Sequence, residues 1–393
     1  MMRNKYIYLL FLSMAFPYYI EFIILSLILY FNKSLKLLLK GYTKKQFVIG
    51  YLFFIFQSLI ILSLGYDYLK FLEQILLLTA FVIFYRVFFL RISNQVNTID
   101  KYYIKFSLLI SCIALFQFAL DITQAGRAIV FGGEAGDLSL LLLPAVIRFI
   151  KQRKVDGRLV IILIAFALAG SAASILTLFI IIAIVLLPSK EQLKKHLFLC
   201  CTISSIATIL ISYISYQVLN GEKSESFIVV RFQVTWEALQ SGNFDYSDYE
   251  AFSASTYAWL VNMKVASEAP YRLCGTGLGT HKDSYERLYS ETNFRLYGLN
   301  KDDAYSIFTR VYSELGLIGL LLLFLFIIKN TNRNSPVNIM ALAYIINSLI
   351  TGGHYTTTGQ IFFYFLLYYT RLRRQKSTKK AINNHGFNRS SDI

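Results

Sequence analysis

The sequence predicts an all-α, polytopic integral membrane protein, and three observations predict it. Of 393 residues, 56% are hydrophobic and only 16% charged, well below the roughly one quarter charged of soluble domains. Apolar runs recur that approach the ~20 residues a helix needs to cross hydrocarbon. Short basic clusters separate these runs, as in loops retained on the cytoplasmic side. The runs lack the period-two alternation of a membrane barrel.

Basic clusters fall at Arg3/Lys5, Lys33 to Lys45, Arg86 to Lys105, Arg148 to Arg158, Lys190 to Lys195, Lys329/Arg333 and Arg371 to Lys380. The net charge of +16 resides largely in these loops, so nucleic acid is not the implied partner. If every cluster faces the cytoplasm, an even number of crossings separates neighbouring clusters. The first run, Tyr6 to Phe16, has the outline of a signal peptide without a small-x-small cleavage site, and reads as an uncleaved helix. Pro17 then turns the chain back. Phe47–Leu64 and Phe71–Phe89 are joined at Gly65-Tyr66-Asp67, and Tyr102–Leu120 and Phe131–Ile150 enclose a loop with Gly126-Arg127. Two further long intervals must be hairpins, Leu159–Leu187 broken at Gly170-Ser171 and Val337–Thr370 broken at Gly352-Gly353-His354. Pro and Gly are the residues that interrupt helices. A half such as Leu159–Ala169 is only ~16 Å long as straight helix, which suits a broken or re-entrant element.

About twelve membrane helices result, with both termini cytoplasmic. Residues 1–218 carry helices one to nine, 219–305 form one large outward loop, 306–371 carry the last three helices, and 372–393 form a basic, disordered tail. Of the four cysteines only Cys274 falls in the loop, so no disulfide framework is implied, and no Cys/His cluster has zinc spacing.

Chemistry is expected on the outward side, where the loop holds 8 basic and 12 acidic residues. Ile228, Phe232 and Trp236 recur at i, i+4, i+8, which makes Phe227 to Gln240 either an interfacial amphipathic helix or a helix on the loop's own core. Gly275, Gly277 and Gly279 alternate ahead of His281. Such a turn lets backbone approach a ligand closely, or is simply a turn; it is not a phosphate-binding P-loop, because no Gly-Lys-Ser/Thr follows. His281 suits a general base through its near-neutral intrinsic pKa, with His354 as competitor. Arg127 and Glu134 lie at the mouth of the bundle, as functional groups or as a mutual salt bridge. Arg231 and Arg310 stand at the two ends of the loop, positioned to hold a phosphate bidentately or to snorkel. Asp303 is a candidate for substrate contact; Glu314 reads as structural. Tyr246, Tyr249 and Tyr257 can stack on sugar faces or pack at the interface.

In this order the elements resemble the bacterial O-antigen polymerase and O-antigen ligase superfamily. The residues carrying the resemblance are Arg127 with Phe131-Gly-Gly-Glu134-Ala-Gly, then Gly170-Ser-Ala-Ala-Ser174, Arg231, Gly275-x-Gly-x-Gly279 with His281, and Tyr305 followed by Glu314-x-Gly316-x-x-Gly319. They span roughly Thr123 to Leu322. Length, helix number and the single large loop are similar to the polymerase (Wzy-type) branch. The helix after Gly170 lacks the arginine many relatives carry, and Asp302-Asp303 stands where they have His/Asp-Asn.

The resemblance implies a GT-C-like fold and a metal-independent, inverting glycosyltransferase of the bacterial inner membrane. It would move a growing glycan from undecaprenyl diphosphate onto a new lipid-linked repeat on the periplasmic face, without cofactor. Arg127, Arg231 or Arg310 would stabilise the diphosphate leaving group, and Glu134, His281 or Asp303 would take the acceptor proton. The implied partners are the undecaprenyl-diphosphate-linked oligosaccharide, membrane lipid, and the chain-length regulator and flippase of the same pathway. A ligase acting on lipid A-core is the nearest rival. A flippase would place ionisable groups near mid-membrane, for which Glu21, Glu73 and Arg86 are the instances.

Overall fold

A computed structural model of the chain describes residues 4–16, 18–34, 37, 43–124, 126–131, 135–152, 156–186, 254–289, 298–352, 355 and 359–372. The calls on Glu134, Arg231, His354, on Phe227 to Gln240, on Tyr246 and Tyr249, and on the 372–393 tail beyond residue 372 lie outside the described residues.

The described chain is a helical membrane protein. Its helices are α1 (Asn4–Ser13), α2 (Tyr18–Phe31), α3 (Lys44–Leu64), α4 (Tyr68–Ile92), α5 (Ile99–Ala119), α6 (Ala135–Gln152), α7 (Gly157–Ala169), α8 (Ala172–Leu186), α9 (Ala254–Glu268), α10 (His281–Tyr289), α11 (Ile307–Asn330) and α12 (Pro336–Ile350), followed by α13 at 360–372. Four of them, α3, α4, α5 and α11, are long and apolar enough to cross a membrane. The only strands among the described residues are β1 (Thr123–Gln124) and β2 (Arg127–Ala128), a two-rung antiparallel ladder.

Each interruption has a local cause. Gly65 ends α3 in the left-handed region at φ 68°, and two residues later Asp67 caps α4, its carboxylate accepting the Leu69 and Lys70 amides at 2.9 and 3.1 Å. Gly170 ends α7 in the same way at φ 59°. Ser335 caps α12, with Pro336 in its first turn. Between α12 and α13 the chain turns through the Gly352 region.

Helices α6 and α12 form the centre. Leu138, Leu141 to Leu143 and Phe149 on α6, and Ile339 to Ile345 on α12, are essentially inaccessible. Around them lies an aromatic cluster in which Tyr344 stacks on Phe363 at 4.0 Å. By contrast α3 presents Phe47, Ile49, Tyr51 and Leu52 outward, as a helix facing lipid does. Asn338 stitches the core: its amide donates to the Asn330 and Leu367 carbonyls and to Thr370 Oγ1, while its oxygen accepts the Asn332 amide. Glu21 is buried, accepting the Tyr85 hydroxyl and the Gly359 amide, and so ties α2 to α4 and to the start of α13. A buried carboxylate persists only with such donors.

Contacts gather the turns at two opposite ends of the bundle. At one, Arg91 donates to Ser34, Arg148 pairs with Asp100 at 3.0 Å, Arg148 and Arg158 face the Phe149 ring, Phe89 stacks on Tyr369, and Arg371 donates to Asn330. These are the ends carrying the basic clusters. At the other, Phe16 stacks on Phe131, the Arg127 stem lies against Gly170, Ser306 bridges to Gly352, and the Asp67 amide donates to Asp283. The acidic and glycine-rich turns meet there.

Candidate functional site

The site is built on a break in α11. Gly316, at φ 66° and ψ −164°, interrupts that helix in a region of backbone space essentially reserved for glycine. A break leaves carbonyls and amides without partners, and leaving them so inside a membrane protein is costly. The segment 272–277 supplies them. Thr276 and Gly277 amides donate to the Ser313 and Glu314 carbonyls at 3.0 and 2.9 Å, and the Leu317 and Ile318 amides donate to the Arg272 and Leu273 carbonyls at 3.0 and 3.1 Å. The loop is thus strapped into the helix ladder.

This placement accounts for the glycines. A Cβ on Gly275 would stand 2.3 Å from the Glu314 carbonyl carbon, and one on Gly316 would stand 2.4 Å from the Leu273 oxygen. Gly277 packs on the Ile61 side chain, and Gly279 on Gln74 and the Lys70 carbonyl. The close backbone approach anticipated for a ligand is taken up here by the protein's own helices α3, α4 and α11.

One turn before the break, Arg310 and Glu314 are both buried, at 1% and 0% exposure, and joined Nε to Oε1 at 3.1 Å. The second carboxylate oxygen accepts the Tyr355 hydroxyl at 3.0 Å, and the guanidinium lies 4.6 Å from the Tyr355 ring centroid. A buried guanidinium needs such compensation. Arg310 is thus buried and engaged by Glu314 and Tyr355, rather than presented at the surface, where the sequence reading has it hold a phosphate bidentately or snorkel.

Asp303 lies where the chain turns into α11. Its carboxylate accepts the Tyr305 amide at 3.0 Å and the Asn300 side chain at 3.2 Å, and its charge acts on Arg310. Ala304 and Tyr305 follow with positive φ, and Ser306 caps the helix by accepting the Thr309 amide.

His281 opens α10 and is wholly buried. Its Nε2 meets Asn262 Oδ1 on α9 at 2.8 Å, while the Asn262 amide donates to the Ala258 and Leu299 carbonyls. Asn262 Oδ1 is then an acceptor, so Nε2 carries the proton. Nδ1 is left as a buried lone pair with no partner among the described residues. Burial, helped by the Arg310 charge, pushes the imidazole down to about 3. His281 is neutral at physiological pH and too weak a base for the near-neutral argument to apply; as it stands it can accept a hydrogen bond from a hydroxyl.

Arg127 sits on β2 with its side chain exposed and its stem over Gly170. It is on the same end of the bundle as the α10–α11 cluster. The structure thus brings His281, Arg310, Glu314 and Asp303 together. Asn262 and Tyr355 were missed from sequence. Asn262 carries no motif, and Tyr355 follows a glycine turn distant in the chain. The i, i+4 spacing of Arg310 and Glu314 was a usable signal. Among the described residues no group of three His, Cys, Asp or Glu is placed to hold a metal ion. Compared with family models and with curated proteins, the chain matches none.

Proposed function

We propose that this chain is a membrane glycosyltransferase that extends a lipid-linked glycan, an O-antigen polymerase in its chemistry. The growing glycan leaves undecaprenyl diphosphate: the bond from its anomeric carbon to the phosphate oxygen breaks. A bond to a hydroxyl of the new lipid-linked repeat forms with inversion, and the hydroxyl proton passes to a base. The reaction takes place on the periplasmic face of the bacterial inner membrane, in a GT-C-like bundle of about twelve helices with both termini cytoplasmic.

What carries this assignment is the segregation of the two ends. The turns lacking basic clusters converge with the α9–α11 cluster, and Arg127 stands exposed at that end. An exposed guanidinium is suited to a diphosphate headgroup. The order of motifs from Arg127 to Gly319 supports the same chemistry. Within it, Arg127 and Arg231 hold the leaving diphosphate, Glu134 or Asp303 receives the proton, and the buried Arg310–Glu314–Tyr355 group and the glycine strap keep His281 and Asp303 in place. The flippase and chain-length regulator of the pathway act before and alongside it.

Lipopolysaccharide from a deletion strain tests the proposal. A single repeat unit on each core is expected. Complete loss of repeat units would assign the ligase reaction instead, and repeats trapped on the cytoplasmic leaflet would assign the flippase.

A further inference from the structure

A groove of about 430 Å³ runs along the surface of the bundle, with α13 as its floor and α4 and α11 as its walls. Both walls are helices long and apolar enough to cross a membrane. Phe326 of α11 packs edge-on against Tyr364 of the floor, and Phe89 of α4 stacks on Phe365, which holds the three helices together. The lining is aliphatic and aromatic, and the groove opens sideways where Val82 and Tyr368 are 38% and 40% exposed. An apolar cleft of this size between membrane spans suits a hydrocarbon chain and offers a polar ligand little.

One end of this groove is cationic. Each of its helices carries a basic residue one turn beyond the lining, toward the end of the bundle where the basic clusters gather. Arg86 follows Val82 at i+4, Lys329 follows Phe326 at i+3, and Arg371 follows Tyr368 at i+3; residues at these spacings share a helix face. Lys329 is exposed, and Arg371 reaches across from α13 to α11, donating to Asn330 at 3.3 Å. No Asp or Glu occurs between Glu314 and Asp392, so α12 and α13 bring no carboxylate to this end. The opposite end differs. Tyr355 closes it, its hydroxyl held by Glu314, and the Arg310 guanidinium beside it is 1% exposed and paired with that carboxylate. From Ile361 to Arg371 the helix rises about 15 Å, half of the ~30 Å hydrocarbon core. The cations therefore stand one leaflet's depth from the far part of the groove.

We infer that the groove is a binding site for an anionic phospholipid of the leaflet on the basic side of the bundle. One acyl chain lies in the groove, and the phosphodiester sits at Lys329 and Arg371, with Arg86 adding to the positive field. A lipid with its phosphate at the other end would meet no basic residue among those lining the groove. In the orientation proposed above, this leaflet is the cytoplasmic one, opposite the face of glycan transfer, so the bound lipid is distinct from the donor. The site does not depend on that reaction. The chain tip lies toward Tyr355, so an occupied groove braces the Arg310–Glu314–Tyr355 group from the lipid side.

Native mass spectrometry of the full chain in detergent tests the site, with dioleoyl phosphatidylglycerol and dioleoyl phosphatidylcholine added at equal concentration. Phosphatidylglycerol adducts are expected to dominate on the wild-type protein. Lys329→Gln and Arg371→Gln should each weaken that preference about five-fold, and Val82→Trp should reduce adducts of both lipids by filling the groove. Equal adducts of the two lipids on wild-type protein would overturn the inference, and so would a preference unchanged when both cations are replaced. The wild-type comparison stands without any variant, so a substitution that fails to fold does not shelter the proposal. Undecaprenyl phosphate is the third probe. Phosphatidylglycerol retained against it at equal concentration supports the phospholipid; displacement would give the groove to the substrate lipid and overturn the inference.

Discussion

Adding one methyl group at Gly275 or Gly316 should undo the junction on which the site stands. At Gly275, with φ 76°, the new carbon would lie 2.3 to 2.4 Å from the backbone of Glu314 and Leu315; at Gly316 it would lie 2.4 Å from the Leu273 oxygen and 2.6 Å from the Gly275 nitrogen. These neighbours are main chain, so no side chain can rotate away. Holding alanine in the Gly316 conformation costs about 1–3 kcal/mol. If the strap withdraws instead, its four cross-segment hydrogen bonds are lost at about 1 kcal/mol net each. Either substitution should therefore cost between about 2 and 5 kcal/mol, a large fraction of the roughly 5–15 kcal/mol that holds a typical domain folded. Thermal unfolding of the detergent-solubilised full chain, read with its abundance in membranes, measures this. Gly50→Ala is the control: a Cβ there meets nothing within 4 Å, and helix propensity favours alanine by up to about 1 kcal/mol. Wild-type melting of both Gly275→Ala and Gly316→Ala would refute the strap as the element holding the broken helix.

Three other outcomes follow from the same geometry. Glu314→Leu leaves Arg310 buried beside Tyr355 without its carboxylate, and should cost about 3–5 kcal/mol, whereas Arg310→Met with Glu314→Leu should recover much of it; a double-mutant cycle by thermal melting decides. His281 has its folded pKa held down to about 3, below the ~6.5 of an unfolded histidine. Between those values the unfolded state binds the extra proton, so stability falls with acidification from pH 6.5 toward 3, by up to about 1.4 kcal/mol per pH unit. His281→Gln should flatten the difference in melting temperature between pH 7 and pH 5, and an unchanged slope would count against a buried neutral imidazole. Arg127→Ala, at an exposed position, should abolish glycan extension with normal membrane abundance, and wild-type lipopolysaccharide banding would remove its role.

Helix interruptions were legible because their causes are local. Gly65 and Gly170 stop helices through their own left-handed backbone, and Asp67 starts the next through its own carboxylate. The Arg148–Asp100 pair joins two of the segments that carry basic clusters, a proximity that charge patterning along the sequence does not by itself specify. The site was readable only in pieces. Gly275 was visible as a turn, but its partner Gly316 lies some forty residues on, and nothing local announces that the two backbones interlock. Burial was not legible either: His281 sits in a polar loop by composition, yet α9, α10 and α11 close over it. Its change from plausible base to hydrogen-bond acceptor follows chiefly from that burial, with the Arg310 charge adding to it. Arg310 became an internal ion pair for the same reason.

Reconstitution tests the glycan-extension assignment most directly. The purified chain is placed in proteoliposomes with an undecaprenyl-diphosphate-linked repeat as sole substrate, and the products are resolved by length. A ladder of glycans growing by one repeat, with undecaprenyl diphosphate released at each step and lost in Arg127→Ala, is expected. Repeats that remain single, from wild-type protein that is folded and inserted, would contradict the assignment.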